Sequence, residues 1–188
     1  MGEHMIQYGV MSSPVGELLL VSEGGVLTGI YMEQHQRGPA IREEWTRVDG
    51  AVRSARAQLE EYFAGMRKQF DVRIAAMGTA FQQKVWTALA EIPHGTTVTY
   101  QELAREIGMP KCARAVGAAV GRNPISIVIP CHRVVGTDGS LTGYAGGLAR
   151  KRWLLEFERA QAQFSLDGGR PAARERAALG ERSVARRG

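Results

Sequence analysis

Ile127-Val128-Ile129-Pro130-Cys131-His132-Arg133-Val134-Val135 is the stretch on which the reading of this chain turns. Its β-branched apolar run predicts a short buried strand that ends on a cysteine, with a histidine and an arginine directly after it. A thiol is nucleophilic only as thiolate, and a free cysteine ionises near pH ~8.5, so activation needs a neighbouring base or cation. His132 and Arg133 offer one of each. The bland alternative is a buried structural cysteine beside a solvated His-Arg pair, since free cysteine is among the most buried residue types.

Downstream, Gly136 to Gly147 is a polar, glycine-rich loop of the kind that lets backbone approach a ligand, and it precedes the helical pattern Leu148, Lys151, Arg152, Leu154, Leu155, Glu158. Upstream, Asn123-Pro124 marks a helix terminus. Before it, Tyr100–Ile107, the turn Gly108-Met109-Pro110-Lys111, and Cys112–Arg122 have helix-turn-helix spacing. The second of these helices is rich in small residues: Ala113, Ala115, Gly117, Ala118 and Ala119. They permit close approach either to another helix or to a nucleic-acid groove. Thr79 is placed to cap a helix carrying Phe81, Val85, Leu89 and Ile92 on one face.

Toward the amino terminus, Met5–Met11, Glu17–Val21 and Val26–Met32 read as strands of an antiparallel sheet. Val52–Phe63 reads as a helix and Phe70–Ile74 as a further strand, with the boundary at Ala75–Gly78. The expected class is α+β: a small amino-terminal antiparallel-sheet domain (residues 1–75), a mostly helical carboxy-terminal domain with a helix-turn-helix (79–160), and a basic tail (165–188). The tail holds six arginines and three acidic residues and is expected to be disordered or partly helical, adding weakly to affinity for a polyanion.

With 188 residues and 44% hydrophobic content, the chain can bury a core in one domain or two small ones. Its 24 basic against 19 acidic side chains give +5, which favours polyanionic partners. Two cysteines, Cys112 and Cys131, make no disulfide framework, and His4, His35 and His94 form no recognisable zinc set, so no metal and no cofactor are expected. No run of 18 apolar residues and no secretory leader is read, so the expectation is a cytoplasmic protein without a membrane partner. Met1 or Met5 can serve as the start.

Four motifs taken in order resemble the DNA-repair alkyltransferases that remove alkyl groups from the 6-oxygen of guanine: Gly95–Ala104, Ala113–Gly117 with Gly121–Pro124, Ile129–Val134, and Leu141–Gly147 with Arg150–Glu156. The resemblance is strong from about Thr79 to Glu158. It implies stoichiometric, irreversible transfer to Cys131, with His132 as a base acting through water, Glu158 orienting it, and Asn123 tying the neighbouring segments together. It also implies binding of double-stranded DNA containing alkylated guanine through the minor groove. Arg114 would fill the space of a nucleotide rotated out of the stack, Tyr100 would assist that rotation and donate to guanine nitrogen 3, and Ala113, Ala115 and Arg122 would lie against DNA. Backbone of Cys131, Val134 and Ala145 would read the guanine edge, and Tyr144 would line the pocket. A monomer is expected, with cooperativity on DNA left open.

Ala145 stands where some members carry serine, and Ser126 where some carry proline. The alternatives are a non-catalytic lesion binder of the same fold, which would lack the cysteine, a regulator signalling through alkylated Cys131, and a turning-over cysteine hydrolase.

Overall fold

The computed structural model describes residues 5–166. Strands β1 (Ile6–Met11), β2 (Leu18–Glu23) and β3 (Val26–Met32) form an antiparallel meander, with Ile6 opposite Glu23 and Met11 opposite Leu18. The β2–β3 reversal uses Gly24 and Gly25, both at positive φ (56° and 76°), a two-residue turn that suits glycine and matches strand twist. A fourth strand absent from the sequence reading, β4 (Thr46–Arg47), pairs in parallel with β1, so the sheet order is β3-β2-β1-β4. Helix α1 (Arg53–Phe63) covers one face, burying Ala55, Leu59 and Tyr62 with Leu18, Leu20 and Ile30 of the sheet.

The expected strand over Phe70–Ile74 is not formed. Only Ile74 bridges to Leu27, where the Leu27 N–H donates to the Arg73 carbonyl and the Ala75 N–H to the Leu27 carbonyl. Pairing ends there because the rest of that edge of β3 is occupied from another part of the chain. The Ile30 N–H donates to the Pro124 carbonyl and the Ser126 N–H to the Ile30 carbonyl.

The second half is helical: α2 (Ala80–Ala90), α3 (Tyr100–Glu106), α4 (Ala113–Val120) and α5 (Leu148–Leu166). Thr79 and Thr99 cap α2 and α3 in reciprocal capping boxes with Gln82 and Glu102. Two short strands, β5 (Val98–Thr99) and β6 (Val134–Val135), pair in parallel. That pairing sets the start of α3 beside the residues after the cysteine.

The cysteine segment departs from the expected strand. Ile125 bridges to β3, Ile127 then takes φ +74°, and Cys131–Arg133 form one turn of 3-10 helix before β6. A β-branched residue in the left-handed region is strained, of order 1–3 kcal/mol, and persists where the surroundings hold it. Here the Asn123 amide spans the reversal, donating to the Ile129 carbonyl at 2.8 Å and accepting from the Ile125 N–H at 3.0 Å.

Among the described residues, no helix is long and apolar enough to cross a membrane. The tail expected over 165–188 lies outside the described residues apart from the end of α5, and so do residues 1–4.

Candidate active site

Cys131 opens the 3-10 turn and is buried, 5% exposed. Burial pushes its thiol pKa up. The Asn123 amide, the Lys151 charge and the backbone N–H groups of Cys131 and His132 oppose that shift. The resting sulfur is therefore a neutral thiol ringed by groups that favour its anion.

His132 and Glu158 are fully buried, and His132 Nε2 lies 2.9 Å from Glu158 Oε1. Burial alone would raise the Glu158 pKa, but the bonds and charges of His132 and Arg133 outweigh it and hold the carboxyl well below the usual range. An ionised carboxylate only accepts, so neutral His132 must carry its proton on Nε2 and keep the Nδ1 lone pair free. Nδ1 is buried with no hydrogen-bond partner among the described residues. Burial also lowers the His132 pKa, so the ring is neutral near pH 7.

Arg133 does not serve the thiol as its neighbouring position had suggested. Its guanidinium grips Glu158 with two bonds, Nε to Oε2 at 2.9 Å and Nη2 to Oε1 at 2.8 Å, and donates a third to the Ile92 carbonyl at 2.6 Å. The charge of Glu158 is thus compensated in the interior. Two more donors complete its shell: the Tyr62 hydroxyl to Oε1 at 2.8 Å and the Gly95 N–H to Oε2 at 3.1 Å. Gly95 is required there, because φ is +77° and a Cβ would stand 2.9 Å from Ala162 Cβ and 3.2 Å from the Glu158 carbonyl oxygen.

The cation whose charge acts on the sulfur is Lys151, which belongs to the helical pattern and to the Arg150–Glu156 motif but carries no role from the sequence alone. Its side chain is buried, and Nζ donates to the Val134 carbonyl at 2.6 Å and the Thr142 carbonyl at 2.9 Å. Among the described residues it forms no ion pair with a carboxylate. Burial pulls its pKa down to about 8, while Cys131 acts to raise it. Lys151, Leu154 and Glu158 recur at i, i+3 and i+7, all buried on α5. Charged residues on an apolar stripe were the available signal for Lys151.

Tyr100, the first residue of α3, donates its hydroxyl to the Thr142 carbonyl at 3.2 Å, and Lys151 Nζ lies 5.9 Å from its ring centroid. Burial raises its pKa, so it remains a proton donor. The loop from 136 to 147 brings buried Tyr144 and half-buried Ala145 to the same region as Val134. The Ala145 carbonyl is held by the Gln36 N–H at 3.0 Å, and Arg150 braces the loop, donating to the Gly146 carbonyl at 3.0 Å and the Val15 carbonyl at 2.6 Å.

Arg114, Ala115 and Ala118 lie exposed on α4, with Ala113 half-buried at its start and Arg122 exposed just beyond its end. Arg122 folds back to donate to the Ala118 carbonyl at 3.1 Å. Buried Val116, Ala119 and Val120 hold the opposite face, where Trp86 Nε1 donates to the Ala119 carbonyl at 2.9 Å. The outer face of α4 is therefore short-chained, flanked by arginines and open to a partner. Among the described residues, no three His, Cys, Asp or Glu side chains converge as metal ligands.

Two family models match the chain: the 6-O-methylguanine DNA methyltransferase ribonuclease-like domain over residues 6–76 and the DNA binding domain of the same family over residues 80–160. A methylated-DNA–protein-cysteine methyltransferase of Mycobacterium tuberculosis is 50% identical over 162 residues, covering 86% of this chain and 98% of that protein. One of Methanosarcina acetivorans is 47% identical over 151 residues, covering 80% and 97%. Among solved structures, Mycobacterium tuberculosis OGT in complex with DNA superposes with a TM-score of 0.77 at 49% identity, covering 82% of this chain and 94% of that one.

Proposed function

The chain belongs to the 6-O-methylguanine DNA methyltransferase family, and from that premise we propose how its own residues carry the reaction. It is a DNA-repair protein that moves an alkyl group from the 6-oxygen of guanine in DNA to a cysteine. The acceptor is Cys131. In the step, the Sγ–carbon bond forms as the carbon–O6 bond breaks, and the electron pair of the broken bond leaves on guanine. The thiol proton passes through a water to Nδ1 of His132, and guanine takes up a proton from the Tyr100 hydroxyl at nitrogen 3. The proton held on His132 returns to Tyr100 by way of solvent, so no net proton is gained or lost. A thioether offers no easily displaced group, so the protein is consumed one molecule per lesion.

The observation that carries this reading is the chain Cys131, His132, Glu158, Arg133. It sets the buried cysteine next in sequence to an imidazole whose Nδ1 is free and whose tautomer is fixed by a buried, charge-compensated carboxylate. Lys151 adds a second element. It is a buried cation bonded to carbonyls, and its counter-ion appears when Cys131 ionises. Tyr100 gives up the Thr142 carbonyl to reach guanine, and Lys151 keeps that carbonyl satisfied.

A stacked guanine does not present its 6-oxygen in line with a buried sulfur, so the target nucleotide leaves the helix. Unstacking costs a few kcal/mol, least at a damaged or mispaired base. The small outer face of α4 supports approach along the minor groove, with Arg114 entering the vacated space and Arg122 and the flanking alanines against the backbone. One protomer carries every group the transfer needs, and the cytoplasm, where Cys131 stays reduced, is the fitting compartment.

The test is Cys131→Ala on duplex DNA with a single 6-O-methylguanine. The variant is expected to bind the duplex like wild type and leave the methyl in place, while wild type removes it. Removal by the variant would overturn Cys131 as acceptor. Wild type that binds the lesion and never removes it would support the non-catalytic binder instead.

A further inference from the structure

The catalytic carboxylate receives one hydroxyl from the other half of the molecule. Tyr62 belongs to α1, is 0% exposed, and its hydroxyl reaches Glu158 Oε1 at 2.8 Å across a separation of 96 residues. Its ring is fixed from several sides: Phe63 at 5.2 Å, Phe70 at 5.4 Å, Phe157 of α5 at 5.6 Å and His94 at 6.1 Å between centroids. Of this group, Tyr62 alone puts a polar atom on the carboxylate.

Oε1 also accepts from His132 Nε2 at 2.9 Å and Arg133 Nη2 at 2.8 Å, so three donors share one oxygen. Sharing matters, because each donor draws on the same electron density, and the negative charge felt by the imidazole falls as the others strengthen. We propose that Tyr62 is a positioning residue of the transfer reaction: from the amino-terminal sheet domain its hydroxyl holds Glu158 Oε1 and moderates how strongly His132 retains a proton. The proposal rests on the alkyl-transfer reading above.

The other groups facing this pair are Arg133 beside it, Lys68 and His94 at the junction of the two halves, Lys151 on α5, and Cys131 and Tyr144 in the pocket. Tyr62 stays a neutral donor over the working range, since burial and the adjacent Glu158 carry its pKa well above the ordinary phenol value. Its contribution is therefore constant with pH, and its removal moves the titration of His132 rather than adding a new one. Without the hydroxyl, Oε1 bears more unshared charge, imidazolium is favoured, and the base is lost at a higher pH.

The experiment is the single-turnover rate of methyl transfer against pH for wild type, Tyr62→Phe and Phe63→Leu, together with the His132 ring titration followed by NMR. Tyr62→Phe keeps the ring and its packing. Its acid limb and its His132 titration are expected to move up together by about half a unit, making transfer about threefold slower well below the wild-type midpoint. Phe63→Leu, which loosens the same cluster without touching Glu158, is expected to lower Tm and leave the limb in place. An unmoved limb and His132 titration in Tyr62→Phe, or the same upward movement in Phe63→Leu, overturns the proposal. Wild type that takes up no methyl at any pH overturns the alkyl-transfer reading itself, a distinct result.

Discussion

In the proposed mechanism Lys151 contributes without touching the reacting carbon. It is a buried ammonium held by two carbonyls, and the thiol it faces is pushed toward neutrality by burial. Replacing it with methionine keeps the bulk and removes the charge. Lys151→Met is expected to raise the Cys131 thiol pKa by about one unit and slow transfer near neutral pH about tenfold. Thiolate absorbance followed against pH in a Cys112→Ser background reads the shift directly. An unshifted thiol would show that Lys151 only closes the loop. At this scale the sequence was partly legible: Cys131 and His132 announce themselves by chemistry, whereas Tyr62 does not. A tyrosine on an amphipathic helix reads as core, and its link to Glu158 exists only after two distant segments pack together.

Elements differ in the same way, according to whether their cause is local. The starts of α2 and α3 could be read because Thr79 with Gln82 and Thr99 with Glu102 satisfy helix-end N–H groups within four residues. The segment from 125 to 135 could not. Its β-branched run suits a strand, but β3 offers an edge only at Ile30, and Ile127 reverses the chain immediately afterwards. Tertiary pairing and one strained dihedral override propensity there. In the proposed mechanism the capping of α3 bears on the chemistry, because Tyr100 is its first residue. Thr99→Ala is expected to cost about 1 kcal/mol in denaturant unfolding and to slow transfer from duplex DNA beyond what that loss explains. Transfer that declines only in proportion to unfolded protein would separate the cap from the site.

Across the whole molecule, the amino-terminal sheet acts as a brace. Ile30 pairs with the segment leading to Cys131, Gln36 holds Ala145, the Val15 carbonyl takes Arg150, and Tyr62 reaches Glu158. Gly146 lies so close to β3 that a Cβ there would collide with the Met32 side chain. The joined interior also carries a pH signature. The Glu158 pKa is depressed on folding, so its stabilisation is present above the ordinary carboxylate range and is lost as pH falls toward the folded value. His132 is depressed as well, and below about pH 6.5 the unfolded chain takes up its proton first, which favours unfolding. Both act in the same direction on acidification. Tm is expected to fall from about pH 6.5 downward, and below about pH 4.5 less steeply in Glu158→Gln than in wild type, because the carboxyl no longer titrates. Glu158→Gln also leaves Arg133 buried without its counter-ion, a loss of about 3–5 kcal/mol at neutral pH. Parallel acid profiles for the two proteins would remove Glu158 from the account of acid stability.

The central claim is that Cys131 accepts one alkyl group and is never regenerated. The direct measurement is intact and peptide mass after incubation with an increasing excess of duplex carrying one 6-O-methylguanine. The expected result is one added methyl per molecule, confined to the peptide containing Cys131 and unchanged by further excess. More than one lesion repaired per molecule, or a methyl found on Cys112 instead, would contradict it.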